Sequence, residues 1–469
     1  MTEISINETA SRNAAGWAAA VLLALLALFA GIALFHAGAG AFFRVPQNFL
    51  EGWNAYLAHA AYDGALYLPY DAPVANNYPP LSYYLIGGLA QWGGDPIYIG
   101  RFISGAALIT VALNIYAILR MFEVDRLTAA GVGIAFLGFV AIPMKQFIAT
   151  NEPQWLAHAV MMSGLTGFLR TYPRRAAMVG CAFIMLAAGL IKHNLLPVPL
   201  AVTLWLLLYD RPGLRLWIAA CAAGGAAVAT LLWGLHGRAA FDSIFLLERQ
   251  YQPLYAVNAA YQLVLPTLPV LALFVARGMP ADRRARLLVF YAVFALVWGI
   301  YTMSAVGVIQ NALMDFYIAI ALLTGLSMRR LTEATRVYAL VAIALPLAVL
   351  ASNLPKPHRV WQSLQQHEAE FKRDEAAVRA AGGPAMCLTS TLCYWAEKSF
   401  EYDPFNTKVK LELDPAYREM FVRKIRDKYF AIIQLYKLTD FPPEFVDAVS
   451  KNYVSFHPTD TGWEYYRPR

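Results

Sequence analysis

A succession of long apolar stretches runs through most of the chain, and each is close to the roughly 20 residues that a helix needs to cross a bilayer. They fall near 17–36, 97–119, 127–143, 152–169, 176–191, 194–209, 216–236, 258–276, 287–306, 309–327 and 337–353. Only 15% of the residues are charged, whereas soluble domains carry about 25%. We therefore expect a polytopic, all-α membrane protein with about eleven transmembrane helices.

The basic residues predict which way this bundle faces. If the N-terminus is cytoplasmic, the cytoplasmic connections hold fourteen Arg residues. The opposite connections hold only five basic residues, Arg44, Lys145, Lys192, Arg238 and Arg249. Cytoplasmic loops carry the excess of Lys and Arg, so we expect the N-terminus inside and the C-terminus outside. The Arg- and Ala-rich composition favours a bacterium, and hence its inner membrane.

The net charge of +7 does not indicate a nucleic-acid partner, because the basic residues cluster in short loops between apolar runs. The chain divides into a bundle at 1–353, including a long outward loop at 37–96, and a soluble extracytoplasmic domain at 354–469. The loop is rich in aromatic residues, which favour the headgroup layer. We expect two surface helices in it, one from Asn48 to Asp63 and one from Leu81 to Trp92.

The polar tail alternates helix and strand patterns, which predicts a small α/β domain. Helices are expected near 361–381, 415–427 and 442–451, with strands near 386–389, 430–434, 453–456 and 463–466. Cys387 and Cys393 lie in this tail, where an oxidising compartment permits a disulfide that the sequence alone leaves open. Cys181 and Cys221 lie in apolar stretches and are interpreted as small core residues.

Two acidic residues lie where the chain should leave the membrane on the outer side. Glu51 has Asn54 one helical turn later, and a carboxylate there is suited to act as a general base, or is simply a solvated surface acid. Glu152 follows Asn151 and precedes Pro153, and helix capping alone explains this pattern. In the predicted topology the two acids lie at the same membrane level.

Other polar and aromatic residues fall at the same level. The turn Asn76-Asn77-Tyr78-Pro79-Pro80 is a stiff strut beside Tyr83, so it is a candidate binding wall or an ordinary loop. Arg101 and Lys192 are candidates for binding a lipid phosphate, although snorkelling also explains Lys192. The remaining candidates are His193, Arg238, Arg249, Gln310, Asn311 and Asp315; structural roles are favoured for all but the two amides, which are left open between ligand binding and helix packing.

Together these motifs resemble the GT-C superfamily of membrane glycosyltransferases, especially bacterial aminoarabinose transferase and the protein O-mannosyltransferases. The resemblance rests on an acid after the first span, a Tyr-Pro-Pro-Leu turn, an early Arg, a second acid and a later Lys. These residues are Glu51, Tyr78 to Leu81, Arg101, Glu152 and Lys192. The superfamily's turn often has Lys where Tyr78 stands, which puts specific phosphate contacts at the turn in question.

The resemblance implies transfer of a sugar from a polyprenyl phosphate, such as undecaprenyl phosphate, to a lipid, glycan or protein acceptor of the cell envelope, with inversion. It implies that Glu51 is the base, that Glu152 orients the acceptor or a metal, and that Arg101 and Lys192 stabilise the phosphate. Asn54, Tyr78, Tyr83, Asn151, His193 and Asn311 are then expected to bind substrate. Some relatives use Mg or Mn; Glu51 and Glu152 are the possible ligands, but no distinctive ligand cluster is present.

The main alternative is a lipid or solute transporter. Transporters place charged or broken helices near the bilayer midplane and often have repeated halves. Neither feature is evident here, and the charged residues gather at one boundary instead. A second alternative is an assembly factor anchored by its bundle, although eleven spans are many for an anchor.

Overall fold

A computed structural model describes residues 2–69, 72, 74–245, 250–329, 331–456 and 462–469. For residues 2–15 and several positions at 259–277 and 333–334, it describes the backbone alone. Arg249, one of the outward basic residues considered above, lies outside the described residues.

Up to residue 352, the regular elements among the described residues are all helices. The helices are α1 (Thr2–Gly38), α2 (Glu51–Ala60), α3 (Leu81–Ala90), α4 (Pro96–Met121), α5 (Arg126–Val140), α6 (Gln154–Thr171), α7 (Arg175–Ile191), α8 (Pro197–Tyr209), α9 (Arg211–Phe245), α10 (Pro253–Ala259), α11 (Leu268–Arg277), α12 (Arg283–Met303), α13 (Met314–Ser327) and α14 (Glu333–Ser352).

Each apolar stretch of the sequence forms helix, but not all of these helices are long. Among the described residues, five helices are long and apolar enough to cross a membrane, in α1, α4, α9, α12 and α14. The stretch at 258–276 is broken into α10, a π-helical turn, a 3₁₀ turn and α11. A multi-pass helical protein is therefore confirmed, while the number of eleven spans and their orientation stay predictions.

Local sequence signals explain where several of these helices begin. Asp95 accepts a hydrogen bond from the backbone of Ile97 at 2.8 Å, and Pro96 occupies the first turn of α4. Asp125 accepts from the backbone of Leu127 and Thr128 at the start of α5. Such caps pair N–H groups that the helix itself leaves without partners.

The two surface helices expected in the first outward loop are present as α2 and α3. α2 is mostly buried rather than lying on an open surface: Glu51, Trp53 and Asn54 are each at most 2% exposed. The reason is that the chain after residue 380 packs on top of α2.

The last part of the chain combines helices with a four-stranded sheet. Its helices are α15 (Pro357–Ala380), α16 (Ser390–Trp395), α17 (Asn406–Leu413), α18 (Pro415–Arg426) and α19 (Pro443–Asn452). Its strands are β1 (Ala385–Cys387), β2 (Ile432–Leu435), β3 (Tyr453–Phe456) and β4 (Glu464–Pro468), in the order β1-β2-β4-β3. β1 and β2 are parallel, whereas β4 pairs antiparallel with both β2 and β3.

The apolar side chains of this region form a core of their own around β2, α18 and α19. Phe421, Ile425, Ile433 and Phe445 are fully buried in it. Cys387 and Cys393 are joined by a disulfide, which settles the pairing that the sequence left open. The division at residue 353 into two domains stays a prediction.

Ion pairs connect this region to the segment that follows α1. Arg44 Nε donates to Glu375 Oε2 at 2.7 Å, and the Arg44 backbone N–H donates to Glu368 Oε1 at 2.7 Å. Arg379 also donates to Glu375. Burial alone raises the pKa of Glu375, but the hydrogen bonds from Arg44 and Arg379 outweigh it and hold the pKa below its ordinary value.

Candidate active site

Glu51 and Arg101 lie together at the base of the first outward loop. Arg101 Nε donates to Glu51 Oε1 and Arg101 Nη2 to Glu51 Oε2, both at 2.7 Å. Arg101 Nη1 donates to the carbonyl oxygen of Phe43 at 2.8 Å. Neither charged side chain is more than 1% exposed. The guanidinium is therefore bound within the protein, and its predicted contact with a lipid phosphate stays a prediction.

Asn151 contacts Glu51 through both its backbone and its side chain. Its backbone N–H donates to Glu51 Oε1 at 3.0 Å, and its side chain donates to the Glu51 carbonyl at 3.1 Å. Asn54 in turn donates to the Asn151 carbonyl at 2.7 Å. Gly100 permits this contact, because a Cβ there would lie 1.9 Å from Asn151 Oδ1.

Glu152 and Lys192 form a second buried ion pair, through Glu152 Oε1 and Lys192 Nζ. The other carboxylate oxygen accepts from the backbone N–H of Gln154 at 2.7 Å. Lys192 Nζ lies 4.5 Å from the centre of the Tyr78 ring. Tyr78 also lies near His193, at 6.5 Å between ring centres. The turn that carries Tyr78 therefore reaches the loop after α7.

A cavity of about 340 Å³ opens beside this second pair. It is lined by α2, the Tyr78 turn, the loop after α7, the end of α12, the loop before α13 and the segment that leads into α17. Its polar lining residues include Asn77, Lys192, His193, Asn194, Asn311, Asp403 and Asn406. Its aromatic lining residues include Trp53, Tyr78, Tyr251, Trp298, Tyr301 and Phe405.

Some of the predicted site residues line this cavity and others do not. Tyr78, Lys192, His193 and Asn311 line it. Glu51, Glu152 and Arg101 are not among the described residues that line it.

Asn54, Tyr83 and Asn151 lie behind the cavity wall. Tyr83 is 1% exposed and packs edge-on against Trp53, at 6.2 Å between ring centres. Burial raises the pKa of Tyr83 well above its ordinary value, so its hydroxyl is neutral.

Two of the remaining candidates have structural partners. Tyr291 in α12 donates to Asp315 in α13 at 2.7 Å, which agrees with a packing role. Arg238 pairs with Asp242 one turn later on an exposed surface. Gln310 accepts from Gln146 at 3.0 Å, and Asn311 donates to Gln154 at 3.3 Å, so both amides connect loops at the same end of the bundle.

The sequence analysis missed the residues that the C-terminal region contributes. Asp403 lines the cavity, and its Oδ2 accepts from Trp53 Nε1 at 3.0 Å across 350 residues of chain. Burial raises the pKa of Asp403. Asn406, at the start of α17, lines the same cavity. No local motif marks either residue, since their position depends on packing against α2.

Ser390 and Thr391 cap α2 from the far end of the chain. The backbone N–H of Gly52 donates to Thr391 Oγ1 and that of Trp53 to Ser390 Oγ, both at 3.0 Å. Ser390 donates back to the carbonyl of Phe49 at 2.9 Å. The disulfide between Cys387 and Cys393 closes the loop that holds both hydroxyls. This loop thus supplies partners that the first turn of α2 lacks.

The geometry does not fit a divalent metal at the two acids. Among the described residues, no group of three or more His, Cys, Asp or Glu is placed to hold a metal ion. Both Glu51 oxygens accept from N–H groups, and the Glu152 oxygens are held by Lys192 and Gln154. A metal at either acid would have to displace these donors, so no step is assigned to one.

A larger cavity of about 960 Å³ lies on the other side of the segment around residue 47. His36, Lys145 and Arg359 line it, together with acidic and aromatic residues of α15 and the sheet. Phe49 lines both cavities and so forms part of the wall between them.

The fold of this chain is similar to that of several solved structures. No family model and no curated protein matches the sequence. The structure is similar to that of ArnT from Cupriavidus metallidurans in the apo state, with a TM-score of 0.64 at 12% identity over 94% of this chain and 97% of that one. It is similar to the same protein bound to undecaprenyl phosphate, with a TM-score of 0.61 at 14% identity over 94% and 97% of the chains.

An archaeal enzyme gives a third comparison. The oligosaccharyltransferase of Archaeoglobus fulgidus, tethered with an acceptor peptide, has a TM-score of 0.53 at 12% identity, covering 96% of this chain and 74% of that one. ArnT and this oligosaccharyltransferase are both GT-C glycosyltransferases. The resemblance found in the sequence is therefore confirmed at the level of structure: the chain has the fold of the GT-C glycosyltransferases.

Proposed function

We propose that the chain is a glycosyltransferase that takes a sugar from a polyprenyl phosphate, such as undecaprenyl phosphate, and passes it to an acceptor of the cell envelope. The observation that carries this proposal is the cavity that joins Lys192 to amide and aromatic side chains at one end of the bundle. A structural neighbour, ArnT, was solved with undecaprenyl phosphate bound. The predicted topology puts the cavity at the outer face of a bacterial inner membrane.

The Glu152–Lys192 pair suits the phosphate end of such a donor. Lys192 lies in the cavity wall, and Glu152 behind it fixes the position of the ammonium group. A cation already placed where negative charge grows on the leaving phosphate stabilises the transition state without reorganising at the moment of reaction. The aromatic residues around Lys192 limit access of water, which strengthens this interaction.

The transfer itself needs one bond exchange and one proton acceptor. The acceptor hydroxyl oxygen bonds to the anomeric carbon, the bond from that carbon to the phosphate oxygen breaks, and polyprenyl phosphate leaves with the electron pair. Attack from the opposite face inverts the configuration.

Glu51 is the predicted acceptor of the hydroxyl proton. Its carboxylate accepts from Arg101, Asn151 and Gln47, so an acceptor hydroxyl has to replace one of these donors. Release of either backbone N–H, that of Gln47 or that of Asn151, breaks no ion pair. In this proposal Arg101 holds the Glu51 side chain in place, and Asn151 and Asn54 hold α2 against the bundle.

Binding of the donor lipid tests the first half of this proposal. Undecaprenyl phosphate should raise the unfolding temperature of the purified protein in detergent, and Lys192→Met should reduce that shift several-fold because the cation that meets the phosphate is gone. Lys451→Met is the matched control, since Lys451 pairs with Asp447 on an exposed surface. An equal shift in all three proteins, or none in the wild type, would overturn the assignment of the cavity.

A further inference from the structure

Asn406 lines the cavity and carries a buried hydrogen-bond acceptor that has no partner among the described residues. The residue is 2% exposed and lines the cavity at the start of α17. Among the described residues, its Oδ1 is one of the buried polar atoms without a hydrogen-bond partner. Buried polar atoms are almost always paired, so such an atom in a cavity wall points to a ligand or to bound water.

The orientation of this amide is fixed by Asp403. Asn406 Nδ2 donates to Asp403 Oδ2 at 2.7 Å and to the carbonyl of Ala75 at 3.3 Å. Both oxygens of Asp403 accept hydrogen bonds from N–H groups, so the amide nitrogen of Asn406 faces Asp403 and its oxygen faces away. The amide cannot turn over without placing its oxygen against two acceptors.

Asp403 is itself held in position. Its Oδ1 accepts from the backbone N–H groups of Phe405 and Asn406, each at 2.9 Å. Its Oδ2 also accepts from the indole of Trp53 at 3.0 Å. The acceptor on Asn406 is therefore presented by a rigid group of residues that ties the C-terminal region to α2.

The surroundings of Asn406 Oδ1 fit a sugar ring better than an isolated water. Asn194 lines the same cavity, and its amide oxygen is likewise buried and without a partner among the described residues. The Asn194 carbonyl accepts from the indole of Trp298 at 2.7 Å and so fixes the position of a large aromatic side chain that also lines the cavity. At about 340 Å³ the cavity lies within the range of small-ligand sites.

We propose that Asn406, oriented by Asp403, binds the glycosyl group of the donor, its Oδ1 accepting a hydrogen bond from a hydroxyl or amino group of the sugar. This inference rests on the proposed function, because it takes the cavity as the donor site. Asn406 then selects the donor by its sugar, whereas Lys192 meets the phosphate that all such donors share. Asp403 is a positioning residue in this arrangement.

The test compares sugar-bearing and bare lipid on the same protein. We would measure the affinity of purified wild type for undecaprenyl phosphate and for undecaprenyl phosphates that carry glucose, mannose or aminoarabinose. At least one sugar-bearing lipid should bind more tightly than the bare lipid. Asn406→Leu should weaken that lipid roughly tenfold, the worth of about one hydrogen bond, and leave the bare lipid unchanged.

Two further variants keep the test decisive. Asn353→Leu is the matched control and should bind as the wild type does, because its amide donates only to the carbonyl of Val349 on an exposed helix end. Asp403→Asn offers the amide of Asn406 a donor, so it can turn over; the sugar preference should fall while bare-lipid binding persists. If Asn406→Leu lowers the unfolding temperature and loses all binding, the sugar preference of Asp403→Asn provides the test instead.

The outcomes separate the two proposals. A sugar preference that survives in both Asn406→Leu and Asp403→Asn overturns the role of Asn406 and leaves the donor site standing. Equal binding of bare and sugar-bearing lipids by the wild type also overturns the role of Asn406 while leaving the donor site standing. Water is then the partner of Asn406 Oδ1. Failure of the wild type to bind any of these lipids overturns the proposed function, and the inference with it.

Discussion

Arg101 in α4 holds Glu51 in α2 by two parallel hydrogen bonds of 2.7 Å, and both side chains are buried. The backbone N–H groups of Gln47 and Asn151 donate one further hydrogen bond each to the Glu51 carboxylate. A buried charge that loses its partner is left uncompensated. The pair therefore fixes the first outward segment to the bundle as well as placing the predicted base.

Arg101→Met should be strongly destabilising, because it leaves the Glu51 carboxylate buried without a cation. The expected loss is about 3–5 kcal/mol, visible as a large fall in the unfolding temperature in detergent. The double variant Arg101→Met, Glu51→Leu should recover much of this loss, since it leaves no buried charge.

The control for this pair is an ion pair on the surface. Arg426 donates to Glu419 at 3.2 Å, and both side chains are at least half exposed. Arg426→Met should cost at most about 1 kcal/mol. Equal falls in unfolding temperature for Arg101→Met and Arg426→Met would show that the buried pair does not anchor α2.

Gly52→Ala should loosen the cap that the C-terminal region places on α2. A Cβ at Gly52 would lie 2.2 Å from the backbone nitrogen of Thr391, so one of the two segments has to move. Gly189→Ala is the matched control, because no atom lies within 4 Å of its Cβ position and alanine favours helix. Limited proteolysis should cut Gly52→Ala faster than either Gly189→Ala or the wild type; equal rates would contradict the capping contact.

The disulfide should stabilise the same contact. Closing a loop with six residues of separation contributes about 2 kcal/mol in the chain-entropy estimate. Reductant, or the double variant Cys387→Ser, Cys393→Ser, should lower the unfolding temperature. Cys181→Ser, Cys221→Ser should keep the full response to reductant, because both of these cysteines are free. A wild type whose unfolding temperature ignores reductant would contradict this role.

The Arg44–Glu375 pair should give a defined acid response. The pKa of Glu375 is lowered in the folded protein, so its contribution to stability is complete above the ordinary value of 4.5 and is lost as the pH falls through the lowered pKa. Wild type should therefore unfold at a higher temperature than Glu375→Gln near neutral pH, and the gap should close in acid. The exposed control Glu419→Gln should show a smaller difference in unfolding temperature from wild type at neutral pH. If the difference for Glu375→Gln widens in acid, the pair does not stabilise the folded protein in the way described.

The sequence predicted the parts of the site that depend on helix ends. Arg101, Glu152 and Lys192 each lie at or near the end of an apolar stretch, Glu51 lies in the loop after the first one, and the predicted alternation of spans puts all four at one level. The structure brings them together in two pairs, Glu51 with Arg101 and Glu152 with Lys192. Which acid meets which base could not be read from the sequence, because helix rotation and tilt are set by packing.

The contributions of the tail could not be predicted at all. Ser390, Thr391, Asp403 and Asn406 lie in short loops or at the starts of short helices, with no periodic pattern that marks them. Their partners are more than 300 residues away in the chain. Only the docking of the C-terminal region on α2 gives these residues a place at the cavity.

The most direct test of the central claim is transfer by the purified protein in detergent. A panel of radiolabelled undecaprenyl-phosphate sugars would be supplied with envelope extract as acceptor, for wild type, Glu51→Gln, Glu152→Gln and the control Lys451→Met. The account predicts labelled product from wild type and from Lys451→Met, and a loss of at least about a hundredfold in the two acid variants. No transfer from any donor, with movement of the lipid across vesicles instead, would contradict it.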